Sequence, residues 1–219
     1  MASEADMTPP HTKAREPMSD EGIDIEPVQP SAFHQRVIDA TQECVNRLGL
    51  DRTKVDDIAE VAGISRATLY RRYGNKDAIL EALIGEQVGP AAQAAIGILM
   101  AREGGIAQRI ELALVRGVLE MPRQPWLENV FEATSHTQGQ ALFHATYRQR
   151  IRAVLHLLLK EPGIRPGLDL EATLSWFLRE LLALLAMRPC DEATLRRHIR
   201  CFILPVFVPD HAFAKTLVN

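Results

Sequence analysis

Cysteine is scarce in this chain: three in 219 residues, odd in number and in no Cys-x-x-Cys pair, so neither a disulfide framework nor a zinc site is expected to hold it together. Cys44, Cys190 and Cys201 are therefore read as reduced thiols, and Cys44, with nothing beside it to lower its pKa, as core. Long apolar runs are missing too. Stretches such as Leu181 to Met187 fall far short of the roughly 18 residues that cross a bilayer, and the N-terminus lacks the basic-then-apolar pattern of a secretory signal, so the expected compartment is the cytoplasm. There is no Gly-x-Ser-x-Gly, no His-Glu-x-x-His, no glycine loop to cradle phosphate and no isolated carboxylate pair. His136 and His144 stand about 80° apart on a helix with no carboxylate or cysteine to join them. No catalytic residue, metal or cofactor is expected, and the chain does not read as an enzyme. Period-two alternation is also absent, which leaves an all-α fold.

The informative stretch is TKVDDIAEVAGISRATLYRRYGNK, residues 53 to 76. Thr53 followed three residues on by Asp56 forms a capping pattern, which predicts a helix from about Lys54. Val55, Ile58, Ala59 and Ala62 give it a small apolar side. Gly63 ends it, because glycine takes a positive φ without a Cβ clash, and Ser65 can cap a second helix running to about Tyr73. Leu69 is the inward anchor of that helix, and Ala67 and Arg71 lie opposite it. From Ile64 to Lys76 there are four basic residues and no acid, while the preceding helix carries Asp56, Asp57 and Glu60. A helix with such a face fits the major groove, where arginine pairs with guanine and hydroxyl or cationic groups hold phosphate. Arg66, Thr68 and Arg71 are candidates for base edges. Tyr70, Tyr73 and Lys76 suit the backbone, Lys76 opening a fourth helix that Asn75 can cap.

The capped first helix, the AGIS turn, TLY, the aromatic at 73 and Lys76 closely resemble the DNA-binding domain of the TetR family of bacterial transcriptional regulators, over about residues 33 to 84. The resemblance implies operator contacts at Thr68, Tyr70 and Lys76 and a supporting role for the first helix of the motif. It places Arg71 and Arg72 where members differ, as residues that help set which operator is read. Thr53 and Ser65 complete the candidate DNA-binding set. Upstream, Phe33, Val37, Thr41, Cys44, Val45 and Leu48 recur at spacings of three and four and predict a helix that covers the motif, ending at Gly49.

The formal charge of -3 is at odds with a DNA binder until it is divided along the chain. Residues 1–31 hold seven acids, two bases and five of the thirteen prolines, leaving the remainder with a balance of +2. That stretch is expected to be a disordered acidic tail without groove contacts. The expected organisation is then a helix-turn-helix domain at 32–76, a helical regulatory and dimerisation domain at 77–208 and a C-terminal tail at 209–219. Within 77–208, a helix from Asp77 should kink or split at Gly89 and Pro90, and further helices are legible at Ile106–Glu120, Pro125–Ser135, Gln138–Lys160, Leu168–Met187 and Asp191–Val208.

The penultimate helix is apolar around most of its circumference, which predicts burial on two sides. With the last helix it gives candidate dimer contacts at Leu174, Phe177, Leu178, Leu181, Leu185, Leu195, Ile199 and Phe202. In the resembling family the middle helices enclose a ligand cavity, and here they carry Trp126, Phe131, His136, Phe143, His144 and Tyr147, apolar walls suited to an uncharged or amphipathic small organic effector. The expected function is a ligand-responsive repressor that binds double-stranded operator DNA with palindromic symmetry as a homodimer, with no membrane partner. The alternatives are a helical protein adaptor that keeps the fold without reading DNA, and an enzyme.

Overall fold

A computed structural model describes residues 31–131 and 138–209, and all regular elements among them are helical. The residues read as an acidic tail lie outside the described residues except for Ser31, as do those of the C-terminal tail except for Pro209. The first helix, α1 (Ala32–Leu48), starts where Ser31 accepts the N–H of His34 at 3.2 Å and stops at Gly49, whose φ is 82°. Next come α2 (Val55–Ala62) and α3 (Arg66–Tyr73). Between them Gly63 is left-handed (φ 62°, ψ 37°), and the turn lets Ile64 donate to the Ala59 carbonyl at 3.0 Å. A Cβ on Gly63 would meet no atom within 4 Å, so the dihedral rather than space selects glycine there.

The start of α2 corrects the expected cap. Lys54 is the N-cap residue, its N–H donated to Asp57 at 2.9 Å, while Thr53 is buried and gives its hydroxyl to the Gly49 carbonyl at 2.7 Å. Asn75 does cap the next helix, accepting the Ala78 N–H at 2.8 Å.

That helix, α4 (Lys76–Met100), runs as one element through Gly89 and Pro90, so of the kink or split expected there the split does not occur. Pro90 has no N–H for the Glu86 carbonyl, but its ring is exposed, and α4 packs along α5 (Ile106–Leu119) more extensively than any other pair of elements, which holds its course. The chain continues as α6 (Pro125–Phe131), α7 (Gln138–Leu158), α8 (Leu170–Ala186) and α9 (Glu192–His198). The last of these passes through a π-helical turn, Ile199–Ile203, into α10 (Leu204–Phe207). Residues 132–135 of the helix expected at Pro125–Ser135 lie outside the described residues.

Among the described residues, two hydrophobic cores result. The smaller joins Val37, Ala40 and Cys44 of α1 to Val55, Ile58, Ala59 and Ala62 of α2, Leu69 of α3 and Ile79 of α4. The larger takes Ile38 and Val45 from the other side of α1, Leu80, Leu83 and Ile84 from α4, and the interior of α5 to α10. So α1 and the start of α4 serve both.

Polar ties fasten the far end. Glu111 of α5 is 3% exposed and accepts from Arg196 Nη1 at 2.6 Å and Arg200 Nε at 2.8 Å. Burial pushes its carboxyl up, but the hydrogen bonds from Arg200 and Arg196 outweigh that and hold it below the ordinary value. A depressed carboxyl contributes stability above its unfolded pKa and loses it as pH falls through the folded one. Glu111→Ala should therefore lower the urea unfolding free energy by about 2 to 3 kcal/mol at neutral pH, and the gap from wild type should narrow as pH falls below the ordinary carboxylate range and the wild-type carboxyl protonates too.

Candidate nucleic-acid interface

Leu69 fixes the orientation of α3. It is wholly buried in the smaller core, so the residues opposite it, Ala67 and Arg71, face solvent, with Arg66, Tyr70 and Arg72 also exposed. The helix is started by Ser65, which accepts the Thr68 N–H at 3.2 Å and shares a 2.9 Å hydroxyl contact with Thr68, leaving Thr68 half-buried. The exposed side chains are partly pre-arranged. Arg66 donates to Asp56 at 3.0 Å and its guanidinium lies 5.3 Å from the centre of the Tyr70 ring. Arg72 leans towards α1, 5.5 Å over the ring of Phe33.

Beside this face is an open cleft of about 580 Å³, lined by Asp51, Arg52, Thr53, Lys54, Val55, Asp56, Arg66, Tyr70 and Lys76. The first residues of α2 and α4 both line it, and the helix dipoles favour an anion at these ends. Lys76 Nζ donates to the Asp51 carbonyl at 3.2 Å and is held at the rim. Arg52 and Lys54 were missed in the sequence reading. Their signal was two basic residues just ahead of a helix start, masked by the nearby acids of α2. The arrangement can take a phosphate backbone into the cleft while α3 presents cations and hydroxyls to base edges.

Two candidate contacts are placed elsewhere. Thr53 is 1% exposed with its hydroxyl committed to Gly49, so it pins the loop between α1 and α2 and its side chain has no surface for DNA. The Tyr73 hydroxyl pairs with His34 Nδ1 at 2.9 Å, and His34 in turn lies 3.4 Å from Glu86. Burial pushes the Tyr73 phenol up.

Residues 37–83 match the family model described as "Bacterial regulatory proteins, tetR family". The helix-turn-helix domain is therefore a TetR-family domain. A relative of the whole chain, an uncharacterized HTH-type transcriptional regulator of Mycobacterium tuberculosis, is 26% identical over 180 residues, covering 82% of this chain and 88% of that one. Among solved structures, NalD of Pseudomonas aeruginosa, the secondary repressor of the MexAB-OprM multidrug efflux pump, superposes with a TM-score of 0.59 at 16% identity, over 83% of this chain and all of its own. SmeT in complex with triclosan gives 0.53 at 20% identity, over 82% and 93% of the two chains. The structural likenesses carry this fold across the body as well as the reader, and the chain is a DNA-binding transcriptional regulator. No helix among its described residues is long and apolar enough to cross a membrane.

In the body the candidate dimer residues divide. Leu174, Leu178, Leu185, Leu195 and Ile199 are buried in the chain's own core and have no surface left for a partner, which corrects their assignment. A single chain covers most of α8 because α6 and α7 both pack on it. What α8 leaves exposed is Glu171, Ala172, Arg179, Ala183 and Ala186, with Phe177 and Leu181 among its half-buried residues. Phe202, on the π turn, is 64% exposed.

The candidate effector residues do come together in part. Phe143 stands 5.5 Å edge-on to Phe131 and 4.9 Å from the Tyr147 ring, and His144 flanks it. Burial, then the nearby Arg148, lowers the His144 pKa. Burial drives the Tyr147 phenol up to about 12, and its hydroxyl has no hydrogen-bond partner among the described residues. Trp126 sits apart, donating to Gln124 at 2.8 Å. His136 lies outside the described residues. Gln124 closes a ring with Gln42 of α1 and Gln87 of α4 at 2.8 to 3.1 Å, tying reader, linking helix and body.

Arg71→Ala should weaken binding to the preferred sequence by about 1 to 3 kcal/mol and relax choice at one base pair. Lys76→Ala should weaken all duplexes alike and flatten the salt dependence, both measurable by fluorescence anisotropy titrations at several salt concentrations.

Proposed function

We propose that the protein is a ligand-responsive repressor which binds a palindromic operator as a homodimer in the cytoplasm, with α3 as the reading helix. The observation that carries this is the exposed cationic face of α3, fixed by a fully buried Leu69 beside a cleft at which two helix N-termini open. Residues 32–76 act as the reader and 77–208 as the regulatory and dimerising body. A two-fold dimer offers two such helices to major grooves about 34 to 36 Å apart, or further on a longer operator, so the operator repeats with the same symmetry. Phe202 and the small-residue strip of α8 supply the partner contact. An exposed phenylalanine loses water contact when a second copy covers it.

The effector is an uncharged or amphipathic organic molecule that settles against Phe131, Phe143 and Tyr147. The Tyr147 hydroxyl is buried without a partner among the described residues, and a polar ligand group would satisfy it. SmeT, which shares the fold, is known with triclosan bound. Binding would shift α4, whose hydrogen-bond ladder is weakest at Pro90, and the glutamine ring transmits the shift to α1. Coupling of about 1 to 3 kcal/mol would lower operator affinity about 5- to 150-fold.

Selection of bound sequences from random duplex DNA should return an inverted repeat. The absence of enrichment, together with salt-independent behaviour, would favour a protein adaptor instead. Phe202→Asp should convert the dimer to monomer in sedimentation and weaken binding to the full repeat more than to a half-site; an unchanged dimer would remove Phe202 from the interface.

A further inference from the structure

This inference rests on the regulator reading and concerns the acid that stands inside the basic face. Asp56 lines the cleft among Arg52, Lys54, Arg66 and Lys76. Arg66, in the first turn of α3, does not project freely. Its Nη1 lies 3.0 Å from Asp56 Oδ1 and donates to Oδ2 at 3.0 Å, and its Nη2 is 3.4 Å from the Tyr70 hydroxyl. Asp57, not Asp56, caps α2, so the Asp56 carboxylate is not needed to start that helix. Both partners of the pair are well exposed, at 59% and 60%, so water and approaching anions reach it.

We propose that Asp56 is a positioning residue that holds Arg66 back from DNA and so lowers the affinity of the reader for any duplex. A phosphate or base edge that takes Arg66 must first break the pair and leaves the Asp56 carboxylate facing the backbone. An ion pair between exposed side chains shifts an equilibrium by only about fivefold or less. A bidentate arginine–guanine contact is worth about 5- to 150-fold, so the operator contact overcomes the pair.

The test uses the full chain and the selected operator, with Asp56→Asn, Arg66→Ala and the double variant titrated against operator and random duplex at several salt concentrations. Asp56→Asn should raise affinity for random duplex about 2- to 5-fold at low salt and steepen its log–log salt slope by about 0.9, the value of one further neutralised phosphate. Operator affinity should rise by at least as much, because the pair must break there too. In the Arg66→Ala background the same substitution should have little effect. Unchanged random-duplex affinity, or an equal rise in both backgrounds, would overturn the proposal, the latter showing a bare surface charge. Thermal melts by circular dichroism should coincide for wild type and Asp56→Asn, since the Asp57 cap is kept. A wild-type chain that ignores every duplex would instead defeat the regulator reading, before Asp56 is changed.

Discussion

Everything in this fold depends on two helices being buried on two sides. One flank of α1, Val37, Ala40 and Cys44, closes the small core, and the other, Ile38 and Val45, enters the large one. The start of α4 does the same, Ile79 facing the reader and Leu80, Leu83 and Ile84 the body. With about 1.5 to 3 kcal/mol for each buried large aliphatic side chain, the nine-residue small core would be marginal alone. Sharing its helices with the body stabilises it. The same sharing means that any shift of α4 is felt by the reader, and the Gln42, Gln87 and Gln124 ring adds a directional polar tie at that seam.

Orientation of α3 follows from the same economy of contacts. With a single fully buried anchor, Leu69, an eight-residue helix must leave most of its surface outside, and the chain places cations and hydroxyls there. The neighbouring acids are not simply excluded. Asp57 is spent on the cap of α2 and Asp56 on Arg66, so the local charge balance is set by pairing as much as by composition.

Helix positions were legible because their punctuation is chemical: Ser31, Ser65, Asn75, Asp169 and Asp191 each accept an N–H three residues on, and Gly49 and Gly63 take positive φ. The miss at Thr53 arose because two overlapping patterns, Thr53 with Asp56 and Lys54 with Asp57, compete for one helix start. The Gly49 carbonyl decided between them by taking the Thr53 hydroxyl. The unbroken α4 is a second case. Proline costs a helix one hydrogen bond, and lateral packing against α5 outweighs it.

The sequence by itself determined the helical class, the reading motif and the identity of its anchor, because these rest on local capping, turn dihedrals and a period of 3.6 residues. Which apolar side chains face the chain's own interior and which are left for a partner was decided only by the tertiary structure. Hydrophobicity has no direction: it drives Leu174 and Phe202 out of water alike, and only the packing of α6 and α7 on α8 covers the one while the π turn leaves the other exposed.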